Sequence, residues 1–141
     1  MQYEPEFYPS FIRRTHEIVN EYDGKYDATL LINCLLGLLV LPQQRMFENI
    51  EDIPFESLED FGISEQSFPS ICYLPKSQRV YPSFRLLLRK LRNSVAHMRI
   101  LPLGNAGEVR GFEFNDLDGF KCHLNLHQIR KITILINEKL G

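Results

Sequence analysis

Between Ala28 and Leu41 the chain runs ATLLINCLLGLLVL, a stretch whose only polar side chains are Thr29 and Asn33. Read as a helix from Tyr26 to Leu41 and stopped by Pro42, it is apolar on nearly every side. Such a rod must be covered from several directions, by its own core or by a second subunit. Thr29, Asn33 and Gly37 recur every fourth residue and form one narrow stripe of small or polar groups. Gly37 costs about 1 kcal/mol of helix propensity relative to Ala, which close approach of another helix would justify. Asn33 reads first as a satisfied core amide, with a place on a functional cleft as the alternative. The run is too short for a bilayer, which takes about 20 residues. Met1 to Pro9 is polar, aromatic and broken by proline, unlike a cleavable leader. A cytoplasmic protein without membrane contact is expected.

At 141 residues and 44% hydrophobic, the chain is expected to form one domain over 1–141. Pro9 and Ser10 open a first helix with the stripe Phe11, Thr15, Ile18, Val19 and Tyr22, ended by Asp23-Gly24. Arg13, Arg14 and His16 fall on its polar side, a solvated face. Prolines 42, 54, 69 and 75 interrupt the stretch up to Tyr81, where irregular chain, with a short helix at Phe55 to Phe61, should wrap over the helices. Glu108 to Asn115 and Phe120 to Leu124 alternate as a hairpin around Asp116 to Gly119. Asn125 and Gln128 have the spacing of a capping box, opening a last helix to Leu140 with Leu126, Ile129, Ile132, Ile136 and Leu140 inward. The expected fold is mainly α, a helical bundle with a small C-terminal β-hairpin followed by a terminal helix. Cys34, Cys72 and Cys122 are an odd number at wide separations, expected as buried reduced thiols.

Net charge is −2, which argues against a broad nucleic-acid-binding surface. The charges are segregated, however. Glu48 to Glu65 holds seven acids and no base, whereas Gln66 to Gly107 has no acid and holds Lys76, Arg79, Arg85, Arg89, Lys90, Arg92 and Arg99. Within that basic segment Leu86 to Met98 reads as an amphipathic helix, with Pro82 in its first turn and with Pro102 and Gly104 ending it. Its apolar stripe is Phe84, Leu87, Leu88, Leu91, Val95 and Met98. The opposite side carries Arg89, Asn93 and Ala96, flanked by Arg92 and His97. Arg92 and His97 stand roughly 140° apart around the axis, too far to converge on one atom within a single helix. A copy of the helix packed across a two-fold axis would bring each pair to the other and create a shared polar cleft. Arg85, Arg89 and Lys90 are then candidate substrate-binding residues for an anionic partner such as a phosphodiester. The alternative is that this basic face answers the acidic segment within the fold.

Arg92-Asn93-Ser94-Val95-Ala96-His97 spells R-N-x-x-x-H. No metal or cofactor site is expected: Cys122, His123 and His127 straddle a strand end and a helix start and lack a second ligand pair. Gly104-Asn105-Ala106-Gly107 lacks the Lys-Ser/Thr of a phosphate loop. RNSVAH, together with the upstream YDATLLINCLLGLLVLP, resembles the HEPN superfamily, named for higher eukaryotes and prokaryotes nucleotide binding. It is similar in particular to a bacterial and plasmid-borne branch with a YDATLxxNxLLGLxxxP helix, an LRNSxAH helix and a terminal hairpin plus helix.

The resemblance implies a metal-independent endoribonuclease working as a homodimer, with both subunits' Arg-His motifs lining one cleft. Arg92 and His97 match the family's catalytic pair, and Asn93 its polar residue after the Arg. The chemistry of these side chains agrees. RNA carries its own nucleophile, the 2′-OH, so cleavage needs a proton acceptor or donor near pH 7 and a positive group at the developing phosphorane. His97 suits the first task and Arg92 the second. Asn93 would hold a phosphate oxygen or orient the partner subunit's imidazole. The expected products are a 2′,3′-cyclic phosphate and a 5′-OH. A toxin or defence effector, answered by an antitoxin or regulatory partner, is the expected setting. The alternative function is a non-catalytic helical dimer that binds a nucleotide, an RNA or a protein.

Overall fold

The computed structural model describes residues 7–24, 27–40, 49–105 and 107–140. Helix α1 spans Phe7–Glu21 and α2 spans Asp27–Val40. Short 3-10 turns follow at Phe55–Phe61, Glu65–Ser67 and Lys76–Gln78. Helix α3, Phe84–Ala96, leads into strands β1 (Ile100–Asn105), β2 (Glu108–Asn115) and β3 (Lys121–Asn125), and α4 spans Leu126–Leu140. The expected stop of α2 at Pro42 lies outside the described residues.

The fold is mixed α/β, with helices dominant, rather than mainly α. The expected two-stranded hairpin is part of a three-stranded antiparallel sheet in the order β1-β2-β3. The difference lies in Pro102 and Gly104, whose helix-breaking character is here a property of an edge strand. Pro102 pairs opposite Phe112 on the outermost strand, where its missing N–H costs the ladder little. At Gly104 the register shifts, and a Cβ there would stand 1.8 Å from the Glu108 carbonyl oxygen. Glycine lets the two backbones approach that closely. The hairpin and the terminal helix otherwise follow expectation. Asn125 and Gln128 form the reciprocal capping box at 2.8 Å in both directions.

Alternation along the strands sends Phe114, Cys122 and Leu124 into the core and leaves Glu113 and His123 on the other face. The helices meet this inner face with Leu31, Leu35, Leu38 and Leu39 of α2, Leu87, Leu88 and Leu91 of α3, and Ile129, Ile132 and Ile136 of α4, all buried. On α1, Ile12, Thr15 and Val19 are buried, while Ile18, placed on the stripe by sequence, is 54% exposed. Gly37 receives the edge of Phe11 from α1, 3.5 Å from where a Cβ would be. Thr29 and Asn33 are exposed, so Asn33 is not a core amide within this chain.

From residue 49 to α3 the chain is wrapped and irregular, as Pro54, Pro69 and Pro75 suggested. Phe55 stacks on Tyr81 with ring centroids 4.9 Å apart, and Phe68 joins them to Phe120 at 5.8 Å. Of the cysteines, Cys122 is buried, Cys34 half-buried and Cys72 exposed, which corrects the expectation of three buried thiols. Among the described residues no helix is long and apolar enough to cross a membrane.

Candidate active site

Helix α3 is anchored at its start by chain from the acidic segment. Ser83 is the N-cap, its hydroxyl accepting from Leu86 N at 3.5 Å; Pro82 therefore precedes the cap instead of occupying the first turn. Asp52 Oδ1 accepts from Arg85 N at 3.1 Å and from Ile53 N at 2.9 Å, and Phe84 N donates to the Ile53 carbonyl at 2.9 Å. A carboxylate at a helix N-terminus is favoured by the exposed amide dipoles. Burial acts to raise the pKa of Asp52, but these hydrogen bonds outweigh it and hold the carboxyl below its ordinary range.

The other end closes as a Schellman motif. Arg99 N donates to the Ser94 carbonyl at 2.8 Å and Met98 N to the Val95 carbonyl at 3.0 Å. Met98 holds the left-handed position with φ 54°. This ends the apolar stripe one residue early. The Met98 side chain, expected in the core, is 90% exposed.

Phe84, Leu87, Leu88, Leu91 and Ser94 form the buried side of α3, and Val95 is half-buried. On the polar side, the turn between β2 and β3 lies against one flank. Lys90 Nζ pairs with Asp116 Oδ2 at 3.2 Å and with Asp118 Oδ2, and Asn93 Nδ2 donates to Asp116 Oδ2 at 3.2 Å. Burial opposes ionisation of all three charged groups, yet their mutual contacts prevail. Asp116 and Asp118 sit below the ordinary carboxylate range and Lys90 above the ordinary lysine value. The Cys72 thiol donates to Asp118 Oδ2 at 3.3 Å.

The six candidate residues thus divide. Arg85 donates through Nε to the Ile50 carbonyl at 2.7 Å and Lys90 is held by two carboxylates, so both answer acidic or carbonyl groups of the fold. Asn93 is tied to Asp116. The side chains of Arg89, Arg92 and His97 have no hydrogen-bond or ion-pair partner among the described residues. Arg92 is half-buried, while Arg89 and His97 are exposed, His97 being the residue that caps the helix. Within one chain the fold does not close Arg92 and His97 onto each other; they keep opposite flanks of one polar face.

The sequence matches a family model described as HEPN pEK499 p136 over residues 1–140. The chain belongs to this HEPN family. No curated protein and no solved structure matches it. HEPN membership is consistent with a nuclease-type or RNA-related role. In this HEPN chain the segment RNSVAH lies on α3 up to its cap, between the Asp52 anchor and the Schellman turn.

Sequence reasoning missed Asp116 and Asp118, which it used only as turn residues. Both are separated from Lys90 by more than twenty residues in sequence, and the available signal was weak: two acids in a hairpin turn beyond a basic helix. Elsewhere in the HEPN fold, Cys122 and His123 point to opposite faces of β3, and His123 Nε2 meets Glu113 Oε1 at 2.8 Å. That contact, the largest influence on Glu113, keeps its carboxyl below the ordinary range. A groove of about 450 Å³ runs between Ser64–Ser67 and the sheet, with Arg110, His123 and Gln128 in its lining. Arg92, Asn93 and His97 take no part in it.

Proposed function

We propose that this HEPN protein is a metal-independent endoribonuclease that acts as a homodimer. The observation that carries the reading is the division on α3: the fold answers Arg85, Lys90 and Asn93 internally, while Arg92 and His97, on one polar face, have no partner among the described residues. An arginine that is half-buried and has no carboxylate partner among the described residues is suited to an incoming phosphate, which it can grip through two parallel N–H donors. An exposed histidine without a partner among the described residues is suited to proton transfer. Because the two groups sit on opposite flanks of α3, two copies of the helix related by a two-fold axis would complete the site.

In the proposed reaction the His97 imidazole takes the 2′-OH proton as the oxygen attacks the adjacent phosphorus. Arg92 stabilises the charge that develops on the phosphorane oxygens. The bond to the 5′-oxygen breaks, that oxygen takes up a proton, and the products are a 2′,3′-cyclic phosphate and a 5′-OH. DNA, without the 2′-OH, is not a substrate. Arg89 adds charge for the strand on either side. Such an activity suits a toxin or defence effector controlled by an antitoxin or other regulatory partner.

The test is cleavage of mixed cellular RNA in EDTA by the wild type, Arg92→Ala and His97→Ala, each shown to be equally folded. Cutting that survives EDTA, leaves cyclic phosphate ends and falls by at least about a hundredfold in both variants supports the reading. Products with a 5′-phosphate, or undiminished cutting by either variant, would overturn it. Binding of RNA without cutting would instead favour a non-catalytic binding dimer.

A further inference from the structure

The amide of Asn93 lies against a carboxylate, and this fixes which end of the amide faces which way. Asp116 Oδ2 receives both Asn93 Nδ2 and Lys90 Nζ, each at 3.2 Å. Its other oxygen, Oδ1, accepts from Leu117 N at 2.7 Å. The turn is closed by Asp116 N donating to the Phe120 carbonyl at 3.0 Å. Asp116 is only 8% exposed, so the backbone and Lys90 hold its carboxylate in place independently of Asn93. An ionised carboxylate only accepts hydrogen bonds. The NH2 end of Asn93 must therefore face Asp116, and the choice between amide orientations that usually stays open is closed by charge. Oδ1 is turned away from Asp116, and no donor among the described residues reaches it.

We infer that Asp116 is a positioning residue that makes Asn93 present its carbonyl oxygen, a hydrogen-bond acceptor, to the active-site cleft. The inference rests on the ribonuclease reading for its catalytic meaning, but the Asn93–Asp116 pairing stands without it. A carbonyl oxygen repels an anionic phosphate oxygen, so Asn93 does not grip the scissile phosphate. Unoccupied by any donor among the described residues, the Asn93 oxygen is the acceptor for the imidazole N–H of His97 once the site assembles on RNA; His97 follows Asn93 by four residues and so lies one turn along. With one ring nitrogen held as a donor to Asn93, the other is left unprotonated and ready to act as base. Asp116, Asn93 and His97 then form a chain in which the buried carboxylate orients the amide and the amide sets the imidazole tautomer.

The experiment compares Asn93→Asp, Asp116→Asn and the double variant carrying both changes, in which acid and amide trade places and total charge is unchanged. Asn93→Asp sets two carboxylates against each other, and Asp116→Asn removes the charge that dictates the amide orientation. Each single variant is expected to lose about ten- to a hundredfold in kcat, with KM changed far less. The double variant should recover to within about tenfold of wild type, because an amide again donates and an oxygen again faces the cleft. A double variant no better than the worse single, or an Asp116→Asn that cuts like wild type, overturns the positioning role. The acid limb of the kcat profile should move to lower pH in Asp116→Asn, since an imidazolium that loses its acceptor is less stable; an unmoved limb overturns the link to His97.

A second readout needs no cleavage. The side-chain NH2 resonances of Asn93 should shift on acidification with a midpoint below the ordinary carboxylate range, and the shift should vanish in Asp116→Asn. Should the wild type cut no RNA while this shift appears, the ribonuclease reading falls and the pairing survives. An Asn93 amide indifferent to acid overturns the pairing itself.

Discussion

Met98 occupies the left-handed residue of a Schellman turn, a position that glycine fills without strain. Its side chain is 90% exposed and gives little packing in return. Met98→Gly is therefore expected to stabilise the protein by about 1 kcal/mol, raising the unfolding temperature by about 3 °C in calorimetry. The Lys90 cluster makes a pH prediction whose sign follows from the shifts. Asp116 and Asp118 have folded pKa values below their unfolded ones, so their contribution is present above about pH 4 and lost as pH falls through the folded values. Lys90 is raised, so its contribution is present below about pH 10.4 and lost as pH climbs through its folded value. Urea unfolding from pH 2 to 7 should lose stability less steeply in acid for Lys90→Met than for the wild type. At this scale the sequence was informative about side chains sharing a helix: Arg92, Asn93 and His97 fall on the polar face that periodicity assigned. It was silent on Asp116, because a contact across more than twenty residues leaves no periodic trace and an Asp in a turn already has a local explanation.

Helices α1, α3 and α4 were legible because each repeats its apolar residues at helical spacing, α2 because a long apolar run is closed by a proline in the sequence, and the capping box at Asn125 marked one boundary to the residue. Strand β1 was not. Its sequence, ILPLGN, holds a proline and a glycine, and both read as terminators unless the strand is known to lie at a sheet edge. The structure makes Gly104 a critical residue of that strand, since the Glu108 carbonyl occupies the space of a Cβ. Gly104→Ala is expected to cost about 2 to 3 kcal/mol in urea denaturation, whereas Gly107→Ala, with nothing within 4 Å of the new Cβ, is opposed only by the φ of 80° and should cost about 1 kcal/mol. Near-equal losses at the two positions would mean that the β1–β2 approach is not as close as described.

At the scale of the whole molecule, the opposite flanks taken by Arg92 and His97 make a prediction about pairs of chains. If the cleft is completed across a two-fold axis, Arg92→Ala and His97→Ala protomers carry complementary defects. Mixed after mild unfolding and refolding, about half of the dimers should hold one of each chain and regain an intact Arg-His pair. RNA cleavage by the mixture, exceeding that of either variant alone, is the expected outcome; a mixture as inactive as its components would place both groups of a working site on one chain. Helix α3 is held by parts of the chain on both sides of it in sequence. Asp52 and Ile53 grip its start, the turn at Asp116 and Asp118 grips its middle, and α4 reaches back to α1 through Arg130 Nη1 and the Val19 carbonyl at 3.2 Å. During synthesis, therefore, RNSVAH leaves the ribosome before the turn that orients Asn93 and before the helix that completes the core. On the ribonuclease reading, a growing chain carries Arg92 and His97 on an incomplete fold, and its cutting site is finished only after α4 has emerged.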